Sequence, residues 1–257
     1  MKNIVKSHGF AKVIIARNVI PHVSDLSEVM AGIHDALDES GTGIIEFHYG
    51  GVIQQDLHYD SIYHEHLCYF TVKSMSELLG RYGFYPFHID HSPISGGSLV
   101  IYFSKEAWTP DKTYLDAQTA EDNSGCNGLT AWKKFAQRCF QHRARTFEII
   151  SEFKGYTVLG FGASARSSTY LNFCGLTVNQ IKAVIDNNPL KQGLYTAGAN
   201  IPIVSREKGM ALKPDLIFIL AWNFKEEIMQ ECHNLGFQGK YLLPFPKVPR
   251  LTKWGAS

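Results

Sequence analysis

Residues 156–176, YTVLGFGASARSSTYLNFCGL, decide the fold class. A short apolar run is followed by a glycine turn and then by a helix-compatible stretch that ends near Gly175. Strand, glycine turn and helix in this order open a doubly wound α/β domain. The alternation continues downstream, where IKAVIDNN (181–188), DLIFILAW (215–222) and GKYLLPFP (239–246) are further strand candidates. Residues 154–257 are therefore expected to form a complete Rossmann-like α/β domain.

A second α/β pattern lies upstream. KVIIA (12–16) is a β-branched run, and Val23, Leu26, Val29, Met30, Ile33 and Leu37 then recur at close to helical spacing. A polar turn at 38–43 leads into GIIEFHY (43–49), so strand, helix and strand predict a right-handed crossover between parallel neighbours. One such unit cannot cover its own sheet. The apolar KVIIA strand is expected to lie at an open edge and to invite self-association. Val72–Tyr82 reads as a helix ended by Gly83, with strands at 84–89 and 98–103 joined by HSPISGG (91–97). Residues 105–128 are polar, and 129–153 read as one long helix. The expected organisation is a partial α/β domain at 1–104, a linker with a bridging helix at 105–153, and the second domain at 154–257.

Composition narrows the partners. With 25 Lys and Arg against 24 Asp and Glu, the formal charge is +1, and no basic run is dense enough to follow a phosphate backbone. Nucleic acid is not an expected partner. No apolar stretch approaches the roughly 20 residues of a membrane helix. The five cysteines at 68, 126, 139, 174 and 232 contain no C-x-x-C pair, which fits free thiols in a reducing, cytoplasmic setting.

Residues 51–70, GVIQQDLHYDSIYHEHLCYF, are rich in His, Tyr and acids without clean periodicity, as in a loop that carries function. His58, Tyr59, Asp60, Tyr63, His64, Glu65 and His66 fall within nine residues. Three roles compete for them. Metal ligation is chemically open to imidazole and carboxylate, but H-E-H lacks the H-E-x-x-H spacing of zinc proteases, and no metal ligand set is assigned. Hydrogen-bonded packing is an ordinary fate for His and Tyr. Proton abstraction beside a carbonyl needs a base that titrates near neutrality, a group that orients it, and donors for the developing enolate.

The glycine loop also has two readings. Gly160, Gly162 and Ala165, with Asp186 some twenty residues on, match a dinucleotide fingerprint. A glycine turn at a helix start equally suits any phosphate group. Asn223 follows a strand at its carboxyl end, where open α/β sheets bind ligands, whereas Trp222 beside it suits packing. A nicotinamide-dependent oxidoreductase would need a Y-x-x-x-K pair, and none follows the glycine loop.

YDSIYHEHLCYF (59–70) resembles a string found in the S-adenosylmethionine-dependent C-methyltransferases of deoxysugar biosynthesis. ARNVIPHV (16–23), GGSLVIY (96–102), GFGASARSSTYLNFCG (160–175), IDNNPLKQG (185–193) and ILAWNFKEEI (219–228) are similar to blocks of that family in the same order. The resemblance implies transfer of a methyl from S-adenosylmethionine to C3 of a nucleotide-linked 4-ketodeoxysugar through an enolate. His66 would be the base, Tyr63 and Glu65 the active-site phenol and carboxylate, and His22 a second active-site histidine. Arg17 and Asn18 would border the cofactor. Gly160, Gly162, Ser164, Arg166, Asp186, Lys191 and Asn223 would help hold the nucleotide-diphosphate sugar. Counterparts of the family's cofactor-cradling glycine loop and zinc module are not found in the sequence, so the expectation is a truncated enzyme or one completed by another chain. A sugar-nucleotide-binding protein without catalysis and an NAD-dependent oxidoreductase are the alternatives.

Overall fold

The computed structural model describes residues 2–255. Among them the chain divides into two compact units. One comprises residues up to Gln55 together with His64–Lys133, and the other comprises Asp56–Tyr63 together with the residues from Lys134 onward.

The first unit contains α1 (Lys2–His8), β1 (Ala11–Arg17), a 3-10 turn at Ile20–His22, α2 (Leu26–Ala36), β2 (Leu37–His48) and α3 (Gly50–Asp56). It continues after the 56–63 excursion with α4 (Val72–Arg81), β3 (Tyr85–Ser92), β4 (Ser98–Ser104) and α5 (Lys112–Ser124). The sheet runs β1-β2-β4-β3. β1 and β2 are parallel, as the crossover pattern predicts, while β4 runs antiparallel to both β2 and β3. Asp25 caps α2 by accepting from the Glu28 N–H, which fixes where the crossover helix begins. β2 starts earlier than GIIEFHY, at Leu37 directly after α2. Residues 38–41 of the expected polar turn have no ladder partner: the register shifts from Ala11–Leu37 to Val13–Thr42, and Lys12 Nζ holds this irregularity through Asp38 at 2.8 Å and Ser40 at 3.0 Å.

One face of this sheet, with Ile45, Phe47, Leu99, Ile101 and Phe103, packs on Met30 and Ile33 of α2 and on Val72, Met75 and Leu79 of α4. Strand alternation puts Arg17, Ile44, Glu46 and His48 on the opposite face. β1 is an edge strand, and Val13 and Ile15 are more than half exposed. α5 falls inside the polar 105–128 stretch, where no helix is expected. Asp111 caps it through the Thr113 and Tyr114 N–H groups, and only Tyr114 and Glu121 turn fully inward. Two inward residues seven apart give too sparse a signal for a periodicity search.

The second unit contains most of α6 (Leu129–Ser151), then β5 (Val158–Phe161), α7 (Ala165–Cys174), β6 (Ala183–Ile185), β7 (Ile203–Val204) and α8 (Arg206–Ala211). It closes with β8 (Leu216–Ile219), α9 (Lys225–Asn234), β9 (Lys240–Leu243) and β10 (Arg250–Thr252). The strand order is β10-β9-β8-β5-β6-β7, parallel throughout except for the antiparallel β10. This is the doubly wound arrangement expected from 156–176. Strand order reverses between β5 and β8, so the loops after those two strands flank a topological switch point. Leu159, Phe161, Ile217, Ile219, Ile228 and Tyr241 are among the residues of its core.

Candidate active site

The cluster at 58–66 is divided by the fold. Leu57, His58, Tyr59, Asp60 and Ser61 are all buried in the second unit, whereas His64 and Glu65 are exposed and Tyr63 and His66 half-buried. Both Asp60 oxygens accept from Arg166, Oδ2 from Nε and Oδ1 from Nη2, each at 2.9 Å. Oδ2 also accepts from the Trp222 indole N–H at 2.9 Å. The Arg166 guanidinium lies 5.0 Å from the Trp222 ring centre, a cation–π contact, and the His58 ring packs on the same indole at 4.6 Å. His58 is 1% exposed, and burial pushes its pKa down to about 4.

Tyr59 enters a buried polar chain. His142 Nε2 donates to the Pro244 carbonyl at 2.7 Å, so its Nδ1 accepts from the Tyr59 hydroxyl at 3.0 Å. The Tyr59 oxygen is then free to accept from the Cys174 thiol at 3.7 Å. Burial drives His142 below the usual imidazole range and lifts the Cys174 thiol to about 11, so this chain is neutral.

Beyond residue 63 the chain returns to the first unit. The Leu67 and Cys68 N–H groups both donate to the Pro21 carbonyl, at 2.9 and 3.1 Å, and lay this stretch on the Ile20–His22 turn. The result brings His22 and His66 together, with ring centres 4.7 Å apart. His22 Nδ1–H donates to the Glu65 carbonyl at 2.8 Å, which fixes the orientation of the ring. The turn follows β1 at the carboxyl end of the parallel pair, the end of open α/β sheets at which ligands bind. Tyr63 stands at the end of the segment grouped with the second unit.

At the same strand ends, Asn18 adopts a positive φ of 51° and donates its N–H to the Glu46 carbonyl. Arg17 Nε pairs with Glu46 Oε2. Glu46 is fully buried, and its Oε1 has no hydrogen-bond partner among the described residues. A buried carboxylate oxygen in that condition is costly unless a donor arrives.

The glycine loop sits at the switch point of the second sheet. Gly162 has φ 96°, and a Cβ there would lie 2.4 Å from that of Ala221, so the loop passes too close to the end of β8 for any side chain. Ser164 caps α7 by accepting from the Ser167 N–H. Asp186 is occupied from within: Oδ2 accepts from the Ala163 N–H at 2.7 Å and pairs with Lys191 at 3.4 Å, and Oδ1 accepts from the Asn188 N–H. Both oxygens with which a dinucleotide-binding acid would meet a ribose are engaged. Asn223, on the turn after β8, is exposed. Among the described residues no group of three or more His, Cys, Asp or Glu is placed to hold a metal ion, and no helix is long and apolar enough to cross a membrane.

Residues 93–246 match the model of a C-methyltransferase C-terminal domain, and residues 2–89 match a methyltransferase domain. The chain belongs to the C-methyltransferase family. It is 30% identical over 255 residues to the C-methyltransferase NovU of Streptomyces niveus, an alignment that covers 97% of this chain and 60% of that relative. The chain thus spans about three fifths of the curated relative it matches.

The sequence points to Tyr63, Glu65 and His66 as candidates and to Trp222 as a packing residue, but it gives no role of their own to Asp60 and His142.

Proposed function

We propose that the protein moves a methyl group from S-adenosylmethionine to C3 of a nucleotide-linked 4-ketodeoxysugar, with His66 as the base. The observation that carries this reading is the seating of His66 against His22 at the carboxyl end of the β1–β2 pair. His66 takes the C3 proton, and the electron pair moves onto the C4 oxygen to form an enolate. Tyr63 and Glu65 orient the base and the oxygen, and the Nε2 of His22 offers a second place for a proton. As the C4 carbonyl re-forms, the electron pair of the enolate would bond C3 to the methyl carbon, and the methyl–sulfur bond would break with its pair left on a neutral thioether. When bound, S-adenosylmethionine supplies an electrophilic methyl on a cationic sulfur. Arg17 and Asn18 are the residues that would hold it, and the partnerless Glu46 oxygen beside them fits a site that receives a hydrogen-bond donor. Gly160, Gly162, Ser164, Lys191 and Asn223 are the candidate contacts of the nucleotide-diphosphate sugar on the second unit, with Arg166 and Asp186 shaping the loop from within. The five cysteines are all free, in keeping with a reducing cytoplasmic setting.

The test needs no methyl donor. The chain is incubated in D₂O with thymidine-diphosphate 4-keto-6-deoxyglucose, and deuterium at C3 is followed by NMR. His66→Ala should slow exchange by about 10²- to 10⁴-fold, the usual share of one general base, while sugar-nucleotide binding persists. Equal exchange in the two proteins would remove His66 from the reaction.

A further inference from the structure

We propose that Asp60 is a positioning residue for Tyr63, and that it works by occupying the switch point of the second sheet with the chain's own carboxylate. The role given to Tyr63 rests on the reading above; the anchor itself stands on geometry. Arg166 lies in the first turn of α7, directly after the glycine loop, and Trp222 begins the turn after β8. These are the two loops that flank the strand-order reversal. Asp60 bridges them with three hydrogen bonds of 2.9 Å, and its side chain is 3% exposed. A carboxylate here stands where an anionic ligand would meet an arginine fork.

The surroundings hold the bridge rigid. Arg166 is sandwiched between the carboxylate and the Trp222 ring, and Tyr59 one residue before packs on Tyr170 and Phe173 of α7. Ser61 one residue after donates both its hydroxyl and its N–H to the His58 carbonyl, at 2.6 and 3.0 Å, and the Ile62 N–H donates to Tyr59. Every residue from 57 to 61 is buried. Tyr63 follows Asp60 by three positions, so its backbone inherits the placement of the bridge. A misplacement of about 1 Å in a group near the chemistry costs on the order of 10²-fold in rate.

Asp60→Asn keeps the shape of the side chain and removes its charge, Arg166→Lys keeps the charge and removes the fork, and Asp60→Glu restores the charge on a longer arm. Two readouts on the full chain separate the outcomes. In amide hydrogen exchange, Asp60→Asn and Arg166→Lys should exchange at least about tenfold faster at 59–63 while β5 and β8 stay protected. In C3 deuterium exchange with thymidine-diphosphate 4-keto-6-deoxyglucose, Asp60→Asn should lower the saturated rate about 10- to 100-fold with KM nearly unchanged, and Asp60→Glu should recover part of the loss. Wild-type protection and wild-type rate in Asp60→Asn would overturn the proposal. So would a rate that falls only in proportion to the unfolded fraction. If the wild-type chain exchanges no deuterium at C3, the proposed reaction fails, and the amide arm alone decides the anchor: unchanged protection at 59–63 overturns it.

Discussion

Lowering the pH from 7 to 5 is expected to remove about 2 kcal/mol of stability through His58 alone. The ring is packed on Trp222 at 4.6 Å and lies edge-on to Phe245 at 5.9 Å, with Asp60 and Arg166 as the charged groups that face it. Burial is the largest influence and lowers its pKa from 6.5 to about 4; Asp60 pulls the value up and Arg166 pushes it down. Because the folded value lies below the unfolded one, the unfolded chain binds the extra proton between about pH 4 and 6.5. The contribution is therefore complete above pH 6.5 and is lost as pH falls through that window. At full depth the gap corresponds to about 3 kcal/mol, and about 2 kcal/mol of it has gone by pH 5. Urea denaturation of the full chain at pH 7, 6 and 5 measures the loss. His58→Phe is the control, since phenylalanine fills the same aromatic stack and takes no proton. His142, also held below its usual range by burial, is present in both proteins and cancels in the comparison. Parallel pH profiles for wild type and His58→Phe would refute the reasoning.

Two further outcomes follow from the first unit. Glu121 is buried on α5 and accepts from the Val72 and Lys73 N–H groups at the start of α4, from the Tyr49 hydroxyl and from Asn127, so Glu121→Ala should cost about 3 kcal/mol in urea denaturation. A loss under about 0.5 kcal/mol would mean that water replaces the carboxylate. The edge strand β1 exposes Val13 and Ile15, so the wild-type chain should self-associate on size-exclusion chromatography with light scattering, and Val13→Lys with Ile15→Lys should shift it toward monomer. A wild-type monomer at high concentration would dismiss this edge as an interface.

What the sequence disclosed was local. The crossover β1-α2-β2 and the strand, glycine turn and helix at 158–174 each fit within a short window whose periodicity reports one element. The glycine requirement at 162 is local in cause, although the clashing partner, Ala221, lies 59 residues away in the chain. α5 stayed hidden because its inward face is a tyrosine and a capping glutamate rather than an apolar stripe. β10 stayed hidden because three residues of antiparallel edge carry no pattern. The site was half legible for the same reason. His66 belongs to a recognisable string, but the partners of Asp60 stand 106 and 162 residues downstream, and nothing in the composition of 58–66 tells which of its histidines and tyrosines face inward.

The division of that string has an energetic logic. Fixing a backbone residue costs about 1–2 kcal/mol, and a loop that must be ordered at each encounter with substrate bears that cost at each encounter. Here Asp60, with its three hydrogen bonds, is held within the second unit, and Leu67 and Cys68, on the Pro21 carbonyl, are held within the first. Tyr63, Glu65 and His66 lie in sequence between these two anchors. On the proposed reading, packing and chemistry fall to different residues of the string rather than competing for the same ones. On that reading, packing at 57–61 sets the backbone that leads to Tyr63, which is why a charge removed at Asp60 is expected to reach a rate measured at C3 of the sugar.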